Sequence, residues 1–188
     1  MLAVVKPSPL RLWGFLLTAI GGALIAFGSI GDWAAVSLGS STEGAVPTKG
    51  VDIWQGLATV ILGALIVVGI LALRFVRPER RNAMAVAIVV AGLAALGLGL
   101  WALLALKSVV QDSGVDELAK AYGRQEVLRA MNTEGIAAKA QAGVWMTVVG
   151  GVLATAGGLV DLAWVRQKRL AGNAIDPDTL PASTEPDA

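Results

Sequence analysis

Residues 143–165 read GVWMTVVGGVLATAGGLVDLAWV, with a single charged side chain, Asp161, near the end. About 20 apolar residues of helix, rising 1.5 Å each, cross a hydrocarbon core of ~30 Å. Only helices and closed barrels satisfy their backbone groups in that medium. The run is continuous, whereas barrel strands would alternate polar and apolar residues. The stretch therefore predicts a transmembrane helix. Within it glycine falls at Gly143, Gly150 and Gly157, one every seven residues.

Three further runs of the same kind lie upstream, at residues 12–30, 53–73 and 83–106. The first carries Gly14, Gly21 and Gly28, the second Gly56 and Gly63, and the third Gly92 and Gly99, again at intervals of seven. A seven-residue repeat matches the 3.5-residue seam of a left-handed helix pair crossing near +20°. Lipid tails are as apolar as leucine, so helices join in a bilayer by close van der Waals contact, which small residues permit. These ten glycines are the candidate helix-packing sites. Their spacing leaves open whether they pack within one bundle or between bundles.

The 188-residue composition agrees with a membrane protein. Hydrophobic residues make up 55% and charged residues 15%, against roughly 25% charged in soluble domains. Mean hydropathy is +0.69. The expected fold is an all-α, four-transmembrane-helix bundle, left-handed, over residues 1–169, with a disordered cytoplasmic tail at 170–188. Outer loops are expected at 31–52 and 107–142.

Lys and Arg set the orientation. Nine of them (Lys6, Arg11, Arg74, Arg77, Arg80, Arg81, Arg166, Lys168 and Arg169) flank one side of the spans, and six lie in the two loops of the other. The positive-inside rule puts the denser side, and with it both termini, in the cytoplasm, and the Ala/Gly/Val-rich usage, with nine Arg against six Lys, suggests a bacterial source and so a plasma membrane. The first run is too long for a cleaved leader and is read as a retained span. Trp13 and Trp164 fall at inner span ends and Trp33, Trp54 and Trp145 at outer ends, as an interfacial belt would place them. Asp161, close to Trp164 and Arg166, is assigned to the inner interface.

The outer loops carry weaker signals. The segments 32–37 and 46–51 are expected to pair as a short hairpin. Ser113 to Asp116 fits a helix-capping box. Val115, Leu118, Ala119 and Tyr122, then Val127, Leu128 and Met131, continue at helical spacing, and Asn132 and Gly135 offer a stop. One small extracytoplasmic helix, bent at Gly123, is the expectation.

The same residues exclude several activities. A net charge of +1 gives no field for nucleic acid. With no Cys and no His, thiol chemistry and the commonest metal ligand are missing. Runs one to three hold no charged side chain between their ends, and all seven prolines lie outside the spans. An ion path or a broken transporter helix would leave such marks. Asp32 and Asp52 flank the first outer loop as a remote cation-binding pair. No catalytic, cofactor or metal residue is assigned.

The arrangement Gly28-Ser-Ile-Gly-Asp32-Trp33, followed by Gly50-Val-Asp52-Ile-Trp54-Gln-Gly56 and Gly63, resembles small four-span membrane proteins of actinobacteria and their phages. That resemblance implies location and topology rather than an activity. The expected function is a non-enzymatic structural or accessory subunit, partnered by the lipid bilayer and by itself or another membrane protein. A small holin-like or transport-modulating oligomer is the alternative.

Overall fold

A computed structural model describes residues 9–38, 45–73, 75–106, 108, 115–116, 118–120, 122–133 and 136–172. Its helices are α1 (Pro9–Ile30), α2 (Trp54–Ala72), α3 (Pro78–Leu104), α4 (Arg124–Thr133) and α5 (Ala142–Gly172). Its strands are β1 (Asp32–Leu38), β2 (Val46–Lys49) and β3 (Ile136–Ala140), with a 3-10 turn at Gly50–Asp52. Among the described residues α1, α2, α3 and α5 are long and apolar enough to cross a membrane, which supports a multi-pass membrane protein.

The ends of these helices follow local chemistry. Helix α3 begins at Pro78, ahead of the apolar run, because proline at a first helical position has a preset φ and lacks an N–H that would otherwise be orphaned. Helix α5 runs through to Gly172, so residues 170–172 of the expected tail are helical. Residues 173–188 lie outside the described ones.

The four long helices form an up-down-up-down ring. Helix α5 packs along α1 and α3, α1 packs along α2, and the α2–α3 contact is the slightest of the four. Every neighbouring pair is antiparallel. The outward faces are apolar, with Leu16, Ile20 and Phe27 on α1 and Leu57, Ile61, Leu65 and Val68 on α2 all exposed. The inward faces carry Thr18, Ser29, Thr59 and Thr147, all fully buried, among buried glycines. Soluble bundles show the reverse distribution. Lipid removes the penalty on apolar exteriors and leaves close packing to hold the interior. Ile25, Ile66, Ile70, Ile88, Ala95 and Ala154 fill the centre.

The described residues are mostly helical, as expected of an all-α membrane bundle, and strands are added at one end of it. Segments of the α1–α2 and α3–α5 connections form a three-stranded antiparallel sheet in the order β2-β1-β3. The expected hairpin is its β1–β2 half, with Val36 opposite Val46 and Ala34 opposite Thr48. Strand β3 joins the other edge, with Val36 opposite Ala138 and Ala34 opposite Ala140. The sheet ties the bundle together because its strands continue directly into helices. Strand β1 follows α1, β2 leads through the 3-10 turn to α2, and β3 leads into α5. Ala34 and Val36 on one face are sealed by Leu118 and Val127. Pro47 and Lys139 on the other face are exposed.

The expected single bent helix is two helical pieces. Residues 115–116, 118–120 and 122 are helical. Gly123 then takes φ +89°, a left-handed conformation that glycine adopts without steric cost. Its N–H donates to Ala119 O at 3.0 Å, and its carbonyl accepts from Val127 N–H at 3.2 Å. One residue thus closes the first piece and opens α4. The proposed start at Ser113 and the stop at Gly135 lie outside the described residues, and Asn132 is still helical.

Candidate functional site

Glycine is selected where two helix backbones approach more closely than a Cβ allows. In the α1–α5 seam, three glycine pairs stand in fixed antiparallel register: Gly14 with Gly157, Gly21 with Gly150, and Gly28 with Gly143. A Cβ on Gly21 would lie 2.7 Å from Gly150 O and 2.9 Å from Ala154 Cα, with Ala154 N closer still. On Gly150 it would lie 2.7 Å from Gly21 O and 2.8 Å from Ile25 N. Gly28 and Gly143 block one another through carbonyls at 2.7 and 2.6 Å. A Cβ on Gly157 would meet Gly14 O at 2.8 Å and, nearer, the Thr18 hydroxyl. Gly14 is covered by Asp161 Oδ1 at 2.7 Å. Because the step is seven residues on both helices, the contact persists for about 21 Å of axis at 1.5 Å per residue. A steep crossing would have parted the helices within that distance.

Two other seams use glycine differently. Between α3 and α5, a Cβ on Gly92 would meet Thr155 Oγ1 at 2.7 Å, and one on Gly99 would meet Val148 Cγ2 at 3.0 Å. The α5 side contributes Gly151 against Leu96 Cα at 2.9 Å and Gly158 against Val89 Cγ2 at 2.8 Å. Between α1 and α2, Gly63 fits against Ala26 N at 2.7 Å and Gly22 against Ile66 Cγ2 at 2.9 Å. The doublets Gly150-Gly151 and Gly157-Gly158 therefore serve two neighbours at once, the first residue facing α1 and the second α3. Gly21-Gly22 divides in the same way between α5 and α2. Gly22, Gly151 and Gly158 are not among the ten, although Gly151 and Gly158 are themselves seven residues apart. Their signal is the doublet.

Gly56 is the exception among the ten. It packs on the backbone of Gly50, so it seats the first turn of α2 beneath the 3-10 turn and takes no part in a helix–helix seam. In contrast Gly97, on α3, has nothing within 4 Å of a built Cβ.

The buried polar groups sit mainly beneath the sheet. Ser29 Oγ and Thr59 Oγ1 are 2.6 Å apart, and Thr147 Oγ1 is 3.5 Å from Ser29 Oγ, so α1, α2 and α5 meet at three hydroxyls. Ser29 also reaches Ile25 O at 2.6 Å, Thr59 reaches Gly56 O at 2.9 Å, and Thr147 reaches Gly143 O at 3.1 Å. Each hydroxyl has one proton. Ser29 and Thr59 cannot both bond their carbonyls fully and also bond each other, so one proton is shared. The layer is an interhelical clasp of three hydroxyls.

Trp33 plugs the bundle above this layer and corrects its assignment to the interfacial belt. It is fully buried, its Nε1–H donates to Gly28 O at 3.0 Å, and it packs with Ile53, Ala102 and Val144. Gly50 accepts the indole edge at a distance that no Cβ would permit. Trp54 and Trp101 remain exposed, with ring centroids 6.4 Å apart.

Asp161 lies near the same end of the bundle as Trp13 and Trp164, facing α1. It is 8% exposed and packed against Gly14 within the α1–α5 seam. Asp32, opposite Lys49 in the ladder, and Asp52, in the 3-10 turn that follows β2, lie at the open end of the hairpin and are both exposed. Among the described residues no three His, Cys, Asp or Glu side chains gather to hold a metal ion. Comparison with protein-family models and with curated proteins finds no match for this chain.

Proposed function

We propose that the chain is a non-enzymatic integral protein of a bacterial plasma membrane, acting as a structural or accessory subunit. Its bundle is a self-contained left-handed scaffold that presents the sheet and α4 outside the cell, with both termini in the cytoplasm. The carrying observation is that nine of the ten periodic glycines are buried against other helices, or against the turn that follows α1, within one chain. The seams are thereby filled, and partner contacts fall to the outer cap and to the outward helix faces. The seven-residue step supports the left-handed crossing. The arginines of the α2–α3 turn support the orientation.

A partner would be the same chain or another membrane protein. Crosslinking in intact cells, then mild solubilisation and identification of what purifies with the full chain, tests the reading. A defined membrane-protein partner or a discrete homo-oligomer is expected, with ion gradients intact at high expression. Collapse of the membrane potential on induction would overturn it in favour of a permeabilising oligomer.

A further inference from the structure

We propose that the α2–α3 turn is a binding site for the headgroups of anionic phospholipids, resting on the membrane-spanning reading of the four helices. Residues 73–81 carry four arginines and one glutamate. Among its described residues the backbone is hydrogen-bonded to itself. Phe75 N–H and Val76 N–H both donate to Ala72 O, at 2.9 and 3.1 Å, and Arg80 N–H donates to Arg77 O at 3.0 Å. Arg81 Nε donates to Val76 O at 3.2 Å and locks the turn to the first turn of α3. Arg77 and Arg80 are left exposed.

Between them and α2 stands Phe75, 90% exposed. A benzyl group so placed is unfavourable in water and favourable at the acyl–headgroup boundary. A turn that combines an apolar wedge with exposed guanidinium groups is complementary to a lipid with both tails and a negative headgroup. Guanidinium also suits phosphate through paired N–H donors. Zwitterionic lipids offer the tails without the net charge, so the turn discriminates by headgroup.

Native mass spectrometry of the full chain in detergent, titrated with phosphatidylglycerol or with phosphatidylcholine of the same acyl chains, tests this. The wild type should prefer phosphatidylglycerol. R77Q/R80Q should weaken phosphatidylglycerol binding about 30-fold at low salt, from ~1 kcal/mol per basic residue, and leave phosphatidylcholine unchanged. R77K/R80K, which keeps the charge and the fold, should retain most of the preference. R124Q/K139Q removes the same charge from the opposite end and should change nothing beyond twofold. F75S should weaken both lipids by a common factor, and no change would remove the wedge.

Equal wild-type affinities would overturn the site. So would a preference that survives R77Q/R80Q, or one lost equally in R124Q/K139Q. Failure of the membrane-spanning reading is distinguishable, because the chain would then wash from membranes in alkaline carbonate.

Discussion

Adding one methyl group at Gly21 should weaken the bundle, and the same methyl at Gly97 should not. At Gly21 the new Cβ falls roughly 0.7 Å inside the 3.4 Å limit of ordinary contact with Gly150 O, and further inside it with Ala154 N. Both obstacles are backbone, so no side chain can swing aside. The α1–α5 pair must open by an amount of that order. A gap of 0.5–1 Å forfeits a quarter to a half of each contact's dispersion energy. Over roughly 40 atom pairs at ~0.15 kcal/mol each, that is about 2 kcal/mol, within the range for overpacked cores. Alanine also favours helix over glycine by about 1 kcal/mol. That gain applies to both variants and cancels between them. G21A should therefore lie about 2 kcal/mol below G97A, with G97A at or slightly above wild type. Unfolding of the detergent-solubilised chain on titration with SDS, followed by tryptophan fluorescence and circular dichroism, reads the difference. Midpoints equal within ~0.5 kcal/mol would refute the seam. G21A that dissociated an oligomer and left the midpoint unchanged would place Gly21 between chains.

Four other substitutions probe the sheet end of the bundle. S29A removes the hydroxyl that bonds Thr59 at 2.6 Å and should cost about 0.6 kcal/mol and no more than ~1.7 in the same titration, the span measured for interhelical bonds in membranes. T59V should cost no more than S29A, because Ser29 keeps its bond to Ile25 O. W33A empties the plug above Ala102 and Val144 and should cost about 3–5 kcal/mol. W33F keeps most of the volume but loses the Nε1–H bond to Gly28 O. It should fall between wild type and W33A, and equality with W33A would contradict the bond's role.

The spans were legible because length and continuous apolarity are one-dimensional properties. The seam glycines were partly legible, since a period of seven survives in the sequence when both partners step together. Which helix each glycine meets depends on the ring order, which no single run encodes. The division of each doublet between two neighbours was hidden for this reason. Gly151 and Gly158 gain meaning only once α5 is known to lie between α1 and α3. Strand β3, Ile-Ala-Ala-Lys-Ala, escaped because alanine has little strand preference and the segment lacks alternation. Its structure comes from pairing with β1, about a hundred residues away in sequence. Trp33 was misplaced because closeness to a span end does not distinguish a ring facing lipid from one folded back over the bundle. The break at Gly123 was visible as a glycine between two shifted apolar faces. Its depth, a left-handed residue that splits the helix, was not.

The chain has no cysteine, so an introduced pair reports its own geometry without interference. Gly99 and Val148 suit this best, because a Cβ at Gly99 would lie 3.0 Å from Val148 Cγ2, with other atoms at 3.6 Å. Disulfide bond lengths put the partner sulfur roughly 3 Å from a Cβ, so a sulfur introduced in place of the Val148 methyl stands at bonding range. Oxidation of G99C/V148C in native membranes, read by non-reducing electrophoresis, should give a monomer-sized, internally crosslinked species at all expression levels. A crosslinked dimer in its place, or two free thiols, would contradict the claim that the glycine seams close one chain upon itself.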